Sequence, residues 1–217
     1  MTRLKDPVAG LTHLAATFVA IAGTVALWLI AQGDLAKQLS LLVYGLSLIA
    51  LYAASSAYHL IRTSEARTAA LRKFDHAAIF ALIAGSFTPP CFNLLTGAWR
   101  AGVLGGIWAI ALAGITFKIA TIQTHRWINV AIYLLMGWFG IVPTIKLFGT
   151  LPLTAFSWLL LEALFFTVGA VIYGTKRLNL LPGVFGFHEL WHLFVIGGTV
   201  SHFMLVLLYV VPYVRVT

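Results

Sequence analysis

Apolar residues run through this chain in long blocks, and the polar residues are concentrated in the short stretches between them. Each block holds about 20 mostly apolar residues, which is the length that a helix needs to cross the hydrocarbon core of a bilayer. Charged residues or Gly/Pro turns bound seven such blocks, at residues 13–32, 40–62, 74–95, 100–119, 127–148, 153–174 and 188–212. The pattern predicts an all-α polytopic membrane protein of seven transmembrane helices with short connectors, the longest being residues 62–73.

The composition leads to the same class. Hydrophobic residues make up 61% of the 217 residues and charged residues only 9%, whereas a soluble domain carries about 25% charged residues. A water-soluble core has no room for so much apolar side chain, so lipid must surround most of the chain. Residues 1–217 are therefore expected to form one membrane domain, and the first apolar block is read as a retained span because it is too long for a signal peptide.

The basic residues predict an orientation. The net charge is +8, but the basic side chains stand at segment ends and form no patch, so we expect no binding to nucleic acid. With the N-terminus in the cytoplasm, ten of the 14 Lys and Arg residues lie on the cytoplasmic side, which is the normal bias. Those ten are Arg3, Lys5, Arg62, Arg67, Arg72, Lys73, Lys118, Arg126, Lys176 and Arg177, against Lys37, Arg100, Lys146 and Arg215 outside. The C-terminus is then predicted to lie outside.

This topology brings three distant histidines to one level of the membrane. His59 ends the second span, and His188 and His192 open the seventh, so all three fall near the cytoplasmic face. Residues four apart share a helix face, so His188 and His192 can point together into the bundle. Three imidazoles with one position left for water are typical of a catalytic zinc site. We therefore predict that these three histidines bind Zn²⁺.

Two other polar residues reach the same depth. Asp75 opens the third span and is the natural partner for a water on the metal or for a ligand imidazole, and Ser55 lies one turn before His59. We predict catalytic roles for both. Three other histidines, His13, His76 and His125, are expected to be ordinary interfacial groups, although a fourth ligand such as His76 would favour a structural zinc instead.

The segment 188–192 also matches HExxH, the signature of zinc proteases. In those enzymes the glutamate activates the water and a third ligand lies downstream. Here no acidic residue follows Glu189, and His202 lies about 15 Å beyond His192 along a helix. The sequence favours Asp75 over Glu189 as the base and leaves the role of Glu189 open.

Two ionisable residues remain inside the spans, and two prolines interrupt one of them. Glu162 and His202 fall near the middle of the bilayer, where they either pair or separately contact lipid or internal water. Pro89 and Pro90, in the outer half of the third span, each remove a backbone donor and predict a break or kink.

Three segments together resemble the hemolysin III family, the bacterial branch of the progestin and adipoQ receptor proteins, which are related to membrane hydrolases such as alkaline ceramidases. The segments are SSAYHL, RKFDHAAIFALIAGSFTP and HELWHLFVIGGTVSHF. The resemblance implies zinc bound by His59, His188 and His192, with Asp75 and Ser55 beside it. The family usually has a Glu and an Asn before a His at the first span; here Asp6 takes the place of the Glu, His13 is present and the Asn is missing.

Three functions are compatible with these features. The preferred one is a zinc-dependent hydrolase of amide or ester bonds in membrane lipid, acting in lipid homeostasis in the bacterial inner membrane. The first alternative is a non-catalytic sensor of lipid or fluidity, or a receptor-like protein, with a structural zinc. The second is a haemolysin, pore or transporter, which needs a polar track through the membrane beyond Glu162 and His202. The oligomeric state is left open.

Overall fold

The computed structural model describes residues 4–121 and 124–215, and these residues form helices joined by short loops, with no strand beyond two isolated bridges. The helices are α1 (Pro7–Ile30), α2 (Leu35–Leu60), α3 (Glu65–Leu94), α4 (Gly97–Ala120), α5 (Arg126–Trp138), α6 (Ile141–Leu147), α7 (Leu153–Thr175) and α8 (Phe187–Leu205). A turn of π-helix, Val206–Val210, continues α8. Arg3, which was counted for the orientation, lies outside the described residues.

Seven segments in the described part of the chain are long and apolar enough to cross a membrane, and they coincide with the seven predicted blocks. Helices α5 and α6 together make the fifth span, Arg126–Leu147, with an interruption at Phe139 and Gly140. The prediction of an all-helical, seven-span protein is therefore confirmed.

The first four helices begin earlier than the hydrophobic pattern indicated, and the difference is largest for α1 and α3, at six and nine residues. Helix α1 begins at Pro7, because a proline with its fixed φ and missing N–H suits the first position of a helix. Helix α3 begins at Glu65, where the Ser64 side chain accepts a hydrogen bond from the Arg67 N–H at 3.5 Å. Residues 65–73, which were predicted as part of the connector 62–73, instead form the polar first turns of α3. The connector prediction is wrong for these residues.

Helix α3 also continues through Pro89 and Pro90, so the predicted break does not occur. Each proline removes the hydrogen bond to the carbonyl four residues before it, and the helix continues without these two bonds. Asn93 closes this end: its side-chain amide donates to the Pro89 carbonyl at 2.8 Å and to the Ser40 hydroxyl at 2.9 Å. The second of these bonds joins α3 to α2.

The central part of the bundle is built around α2, which packs against α1 on one side and α3 on the other. Gly45 faces Thr24 of α1, and Gly85 of α3 faces Ser47, and these small residues let the backbones approach closely. Helix α8 packs against α7 and α1. The start of α1, the end of α2 and the starts of α3 and α8 consequently meet at one end of the bundle, here called the histidine end.

Candidate metal centre

Three imidazoles converge at the histidine end. One ring nitrogen from each of His59, His188 and His192 lies within 4.8 Å of the other two, and this group is called the histidine cluster below. The Nε2 atoms of His59 and His188 are 3.3 Å apart. His59 and His192 are each only 3% exposed. The structure therefore brings together the three histidines that the sequence placed at one depth.

The geometry of the histidine cluster fits a zinc ion. Two nitrogens bound tetrahedrally to Zn²⁺ at about 2.0–2.1 Å stand about 3.3–3.4 Å from each other, which agrees with the separation of the two Nε2 atoms. The Nδ1 atom of His192 is buried without a hydrogen-bond partner in residues 4–121 and 124–215. Buried polar atoms normally have a partner, so this donor set has the composition and spacing of a metal site.

An aspartate orients one of the three rings. The Asp6 carboxylate lies 3.0 Å from His59 Nδ1, and the Asp6 backbone N–H donates to the His59 carbonyl at 2.9 Å. A carboxylate only accepts hydrogen bonds, so the hydrogen of a neutral His59 ring is held on Nδ1 and its Nε2 keeps a free lone pair. Carboxylate–histidine pairs of this kind fix the tautomer of metal-binding imidazoles. The sequence left the role of Asp6 open, and the structure places its carboxylate against a ring of the histidine cluster.

His13 is a fourth imidazole beside the cluster. Its ring lies against that of His192, tilted by 33° at a centroid distance of 3.9 Å. The residue is 2% exposed, and neither ring nitrogen has a hydrogen-bond partner within the described part of the chain. His13 is therefore not an ordinary exposed interfacial histidine, because its side chain is buried against the cluster. Because α1 starts at Pro7, His13 lies about 9 Å inside the helix rather than at its first residue. The Asp6–Pro7 pair is a helix-start signal that would have shown this.

Asp75 and Ser55 lie together beside the cluster. The Ser55 side chain faces the Asp75 carboxyl, and Ser55 stands one turn before His59 on α2. Asp75 is half-buried and is outside the group of mutually close donor atoms. The same holds for His76, whose backbone carbonyl accepts a hydrogen bond from the Tyr133 hydroxyl at 3.2 Å. Asp75 therefore lies next to Ser55 and is not one of the closest donor atoms of the histidine cluster.

The Glu189 side chain caps the start of α8. Its carboxylate accepts a hydrogen bond from the Gly186 N–H at 2.8 Å, which satisfies a backbone donor just before the first turn. A negative charge at this position also interacts favourably with the helix dipole. A pocket of about 320 Å³ lies beside it and is lined by His188 and by the loop before α8. The HExxH match therefore has a structural explanation, namely two histidines of the histidine cluster and a capping glutamate.

Glu162 and His202, the two ionisable residues inside the spans, contact each other. His202 Nδ1 lies 2.9 Å from the Glu162 carboxylate, so α7 and α8 are adjacent with these two side chains facing each other. The sequence left open whether these residues pair or separately contact lipid or water, and in the structure they pair directly.

Comparison with known proteins places the chain among heptahelical membrane proteins. A family model described as Haemolysin-III related matches residues 1–203. The chain is 32% identical over 214 residues to a protein named Hemolysin-3 homolog from Bacillus subtilis (strain 168), covering 97% of both chains. It is 32% identical to Hemolysin-3 from Bacillus cereus, covering 98% of this chain and 97% of that one. It is 30% identical to the Heptahelical transmembrane protein ADIPOR3 from Oryza sativa subsp. japonica, over 69% of this chain and 41% of the relative.

Proposed function

The chain belongs to the haemolysin-III-related family of multi-pass membrane proteins, and from that premise we propose that it hydrolyses an amide or ester bond of a membrane lipid at a zinc ion held by its histidine cluster. The observation that supports this most strongly is the convergence of three imidazoles from α2 and α8, with two Nε2 atoms 3.3 Å apart. Three ligands leave one position for water or substrate, which distinguishes a catalytic from a closed structural site.

Six polar residues around the cluster have parts in this proposed chemistry. His59, His188 and His192 hold the metal, and Asp6 keeps the His59 lone pair directed toward it. A Zn²⁺ ion held by the three histidines would supply Lewis acidity for the hydrolysis. Asp75 takes the proton from the attacking water and returns it to the amine or alcohol that leaves when the C–N or C–O bond breaks. Ser55 holds the Asp75 carboxyl in place.

The proposed orientation puts this site at the cytoplasmic face of the bacterial inner membrane. The excess of Lys and Arg at the ends of the chain's spans supports a cytoplasmic histidine end, with the C-terminus outside. The scissile carbonyl of a lipid lies near headgroup depth, which is the level of the first turns of α8. The lipid then enters sideways between helices, and its acyl chains stay in the hydrocarbon region.

One observation favours a different role for the metal. The centroid of the His13 ring lies 3.9 Å from that of His192, and the described residues offer its nitrogens no partner, so it could serve as a fourth imidazole. Four protein ligands are typical of a structural zinc. Such an ion would tie α1, α2 and α8 together in a lipid sensor. X-ray absorption at the zinc edge separates the two roles. Three imidazoles with one oxygen support the hydrolase, whereas four imidazoles that become three in His13→Phe support the structural zinc.

The proposed activity is tested by comparing the lipids of cells that produce the wild-type protein with those of cells that produce Asp75→Asn at the same level. We expect at least one amide- or ester-linked lipid to fall, and its free fatty acid to rise, only with the wild-type protein. Lipid profiles that do not differ between the two strains, together with no turnover of extracted lipids by the purified zinc-loaded protein, would contradict the hydrolase.

Removing the Asp6 carboxylate is expected to weaken zinc binding without abolishing it. Loss of a carboxylate that orients a ligand histidine typically lowers metal affinity about 10–100-fold, and we expect this range for Asp6→Ala. Asp6→Asn, whose amide oxygen can still accept from His59 Nδ1–H, should fall between wild type and Asp6→Ala. Affinity is measured by competition with a chelator of known zinc affinity.

Asp34→Ala is the matched control. Asp34 also precedes a helix, accepting from the Lys37 N–H at 3.0 Å and pairing with Arg215 at 3.1 Å, but it lies at the opposite end of the bundle. It should lose about 1 kcal/mol of stability through its cap and keep its zinc affinity. Equal zinc affinity in Asp6→Ala and the wild type would show that Asp6 does not orient a ligand.

A further inference from the structure

A second polar site lies deep in the bundle, far from the histidine end. It consists of Glu162 on α7, His202 on α8 and Tyr44 on α2, and is called the mid-bundle cluster. The Glu162 carboxylate lies 2.9 Å from His202 Nδ1, and the rings of Tyr44 and His202 meet edge to face at 5.1 Å. Each residue stands eight or nine positions from the end of its span opposite the histidine end, which is about 12–14 Å of helix. The mid-bundle cluster is therefore at hydrocarbon depth.

Two polar atoms of this cluster have no hydrogen-bond partner among the residues that the structure describes. His202 is 5% exposed and Tyr44 is 1% exposed, and both His202 Nε2 and the Tyr44 hydroxyl are buried without a hydrogen bond. The cost of such a group is high at this depth, because no bulk water or lipid headgroup can satisfy it. Two unsatisfied groups on adjacent rings point to something that they bind in common.

The net charge of the Glu162–His202 pair determines whether His202 Nε2 is a hydrogen-bond donor or an acceptor. A Glu162 carboxylate beside a neutral His202 would leave a net charge of −1 in the hydrocarbon region, which is strongly unfavourable. A net-neutral pair contains one more proton, either as carboxylate with imidazolium or as carboxylic acid donating to Nδ1. In both arrangements Nε2 carries a hydrogen and is a donor. The Tyr44 hydroxyl can donate as well, so the mid-bundle cluster presents two donors.

We propose that the mid-bundle cluster is a binding site for a single oxygen atom, which accepts hydrogen bonds from His202 Nε2–H and from the Tyr44 hydroxyl. This oxygen belongs to an internal water molecule or to a hydroxyl group on the acyl chain of a bound lipid. Its position on α8, about 15 Å beyond His192, separates it from the zinc chemistry proposed above. The proposal therefore does not depend on catalysis at the histidine cluster, and it survives if the protein proves to hold no metal.

The test uses the full-length protein in nanodiscs and the variant Tyr44→Phe. If an oxygen is bound, removing the hydroxyl loses a hydrogen bond and should lower Tm by about 2–4 °C. If nothing is bound, removing an unsatisfied buried hydroxyl should leave Tm unchanged or raise it. Tyr52→Phe is the reference, because the Tyr52 hydroxyl has a protein partner in Thr199 at 2.5 Å and its loss should lower Tm in either case.

A binding measurement distinguishes the two sources of the oxygen. 12-Hydroxystearate and stearate are compared in the wild type, and one additional hydrogen bond should give the hydroxylated acid roughly three- to tenfold tighter binding. His202→Asn is the second variant, since an asparagine amide can replace Nδ1 toward Glu162 but offers nothing in the place of Nε2. It keeps the test valid if Tyr44→Phe does not fold.

A preference for the hydroxylated acid that Tyr44→Phe or His202→Asn abolishes identifies a lipid hydroxyl as the bound oxygen. A lowered Tm in these variants without any such preference identifies internal water. The proposal is overturned if Tm does not fall and no preference exists, or if the preference persists in both variants.

Discussion

Replacing His188 or His192 with alanine should lower the zinc content of the purified protein from about one ion per chain to nearly none. Both residues come from the first turns of α8 and supply two of the three nitrogens that lie within 4.8 Å of one another. With one of them lost, the two remaining imidazoles cannot hold the ion against the chelating capacity of buffer and cell. Mass spectrometry of metals on protein prepared with added zinc measures the content directly.

The matched control for this measurement is His125→Ala. His125 is an exposed histidine that precedes α5, so its loss removes an imidazole from the protein without touching the histidine cluster. Its zinc content should equal that of the wild type. Melting with and without a chelator gives a second readout: the chelator should lower the Tm of wild type and His125→Ala but have no effect on His188→Ala. A wild-type protein that holds no zinc after loading would remove the basis for the metal site.

The convergence of the three histidines was predictable because it depends only on topology. Seven apolar blocks with short connectors require the chain to alternate direction, so the end of the second span and the start of the seventh lie on the same side. The four-residue spacing of His188 and His192 then fixes their common face. No knowledge of helix rotation was needed for either step, and the structure accordingly brings His59 to the same pair.

The supporting residues were not predictable in the same way. Hydropathy began the first span at His13, six residues after the true start of α1, so His13 was expected to be an interfacial group and Asp6 fell outside the span. In the structure Asp6 contacts His59, and the His13 ring lies against that of His192. The pairing of Glu162 with His202 depends on the rotation of two helices about their axes. Apolar residues surround these helices on most sides, so the hydrophobic pattern contains little information about that rotation.

Glu189 illustrates how one motif can be read in two ways. Its spacing from the two histidines is that of a protease glutamate, and its carboxylate bonds the Gly186 N–H before α8. A short motif reports residue types and spacing but not which neighbour a side chain contacts. Here the contact is to the backbone, which makes the stability of α8, rather than proton transfer, the expected consequence of changing Glu189.

Replacing Asp75 with asparagine should abolish most lipid turnover while leaving zinc bound. Asp75 is not among the close donor atoms of the histidine cluster, so the metal content should stay near that of the wild type. Asparagine keeps the size of the side chain and a partner for Ser55 but cannot take up a proton. Loss of a general base typically lowers the rate about 10²–10⁴-fold, and we expect a decrease in that range. Turnover is followed by mass spectrometry with whichever lipid the comparison of cells identifies.

Two substitutions at Glu189 make this test decisive between the two carboxylates. Glu189→Gln retains an oxygen that can accept from Gly186 N–H, so it should keep both stability and turnover. Glu189→Ala loses the bond and should cost about 0.5–2 kcal/mol of stability, with turnover per folded molecule preserved. If instead Glu189→Gln is inactive and Asp75→Asn is fully active, the proton is carried by Glu189, and the site works as an HExxH protease does. Inactivity of both variants with zinc still bound would mean that the two carboxylates divide the role between them, one on the water and one on the leaving group.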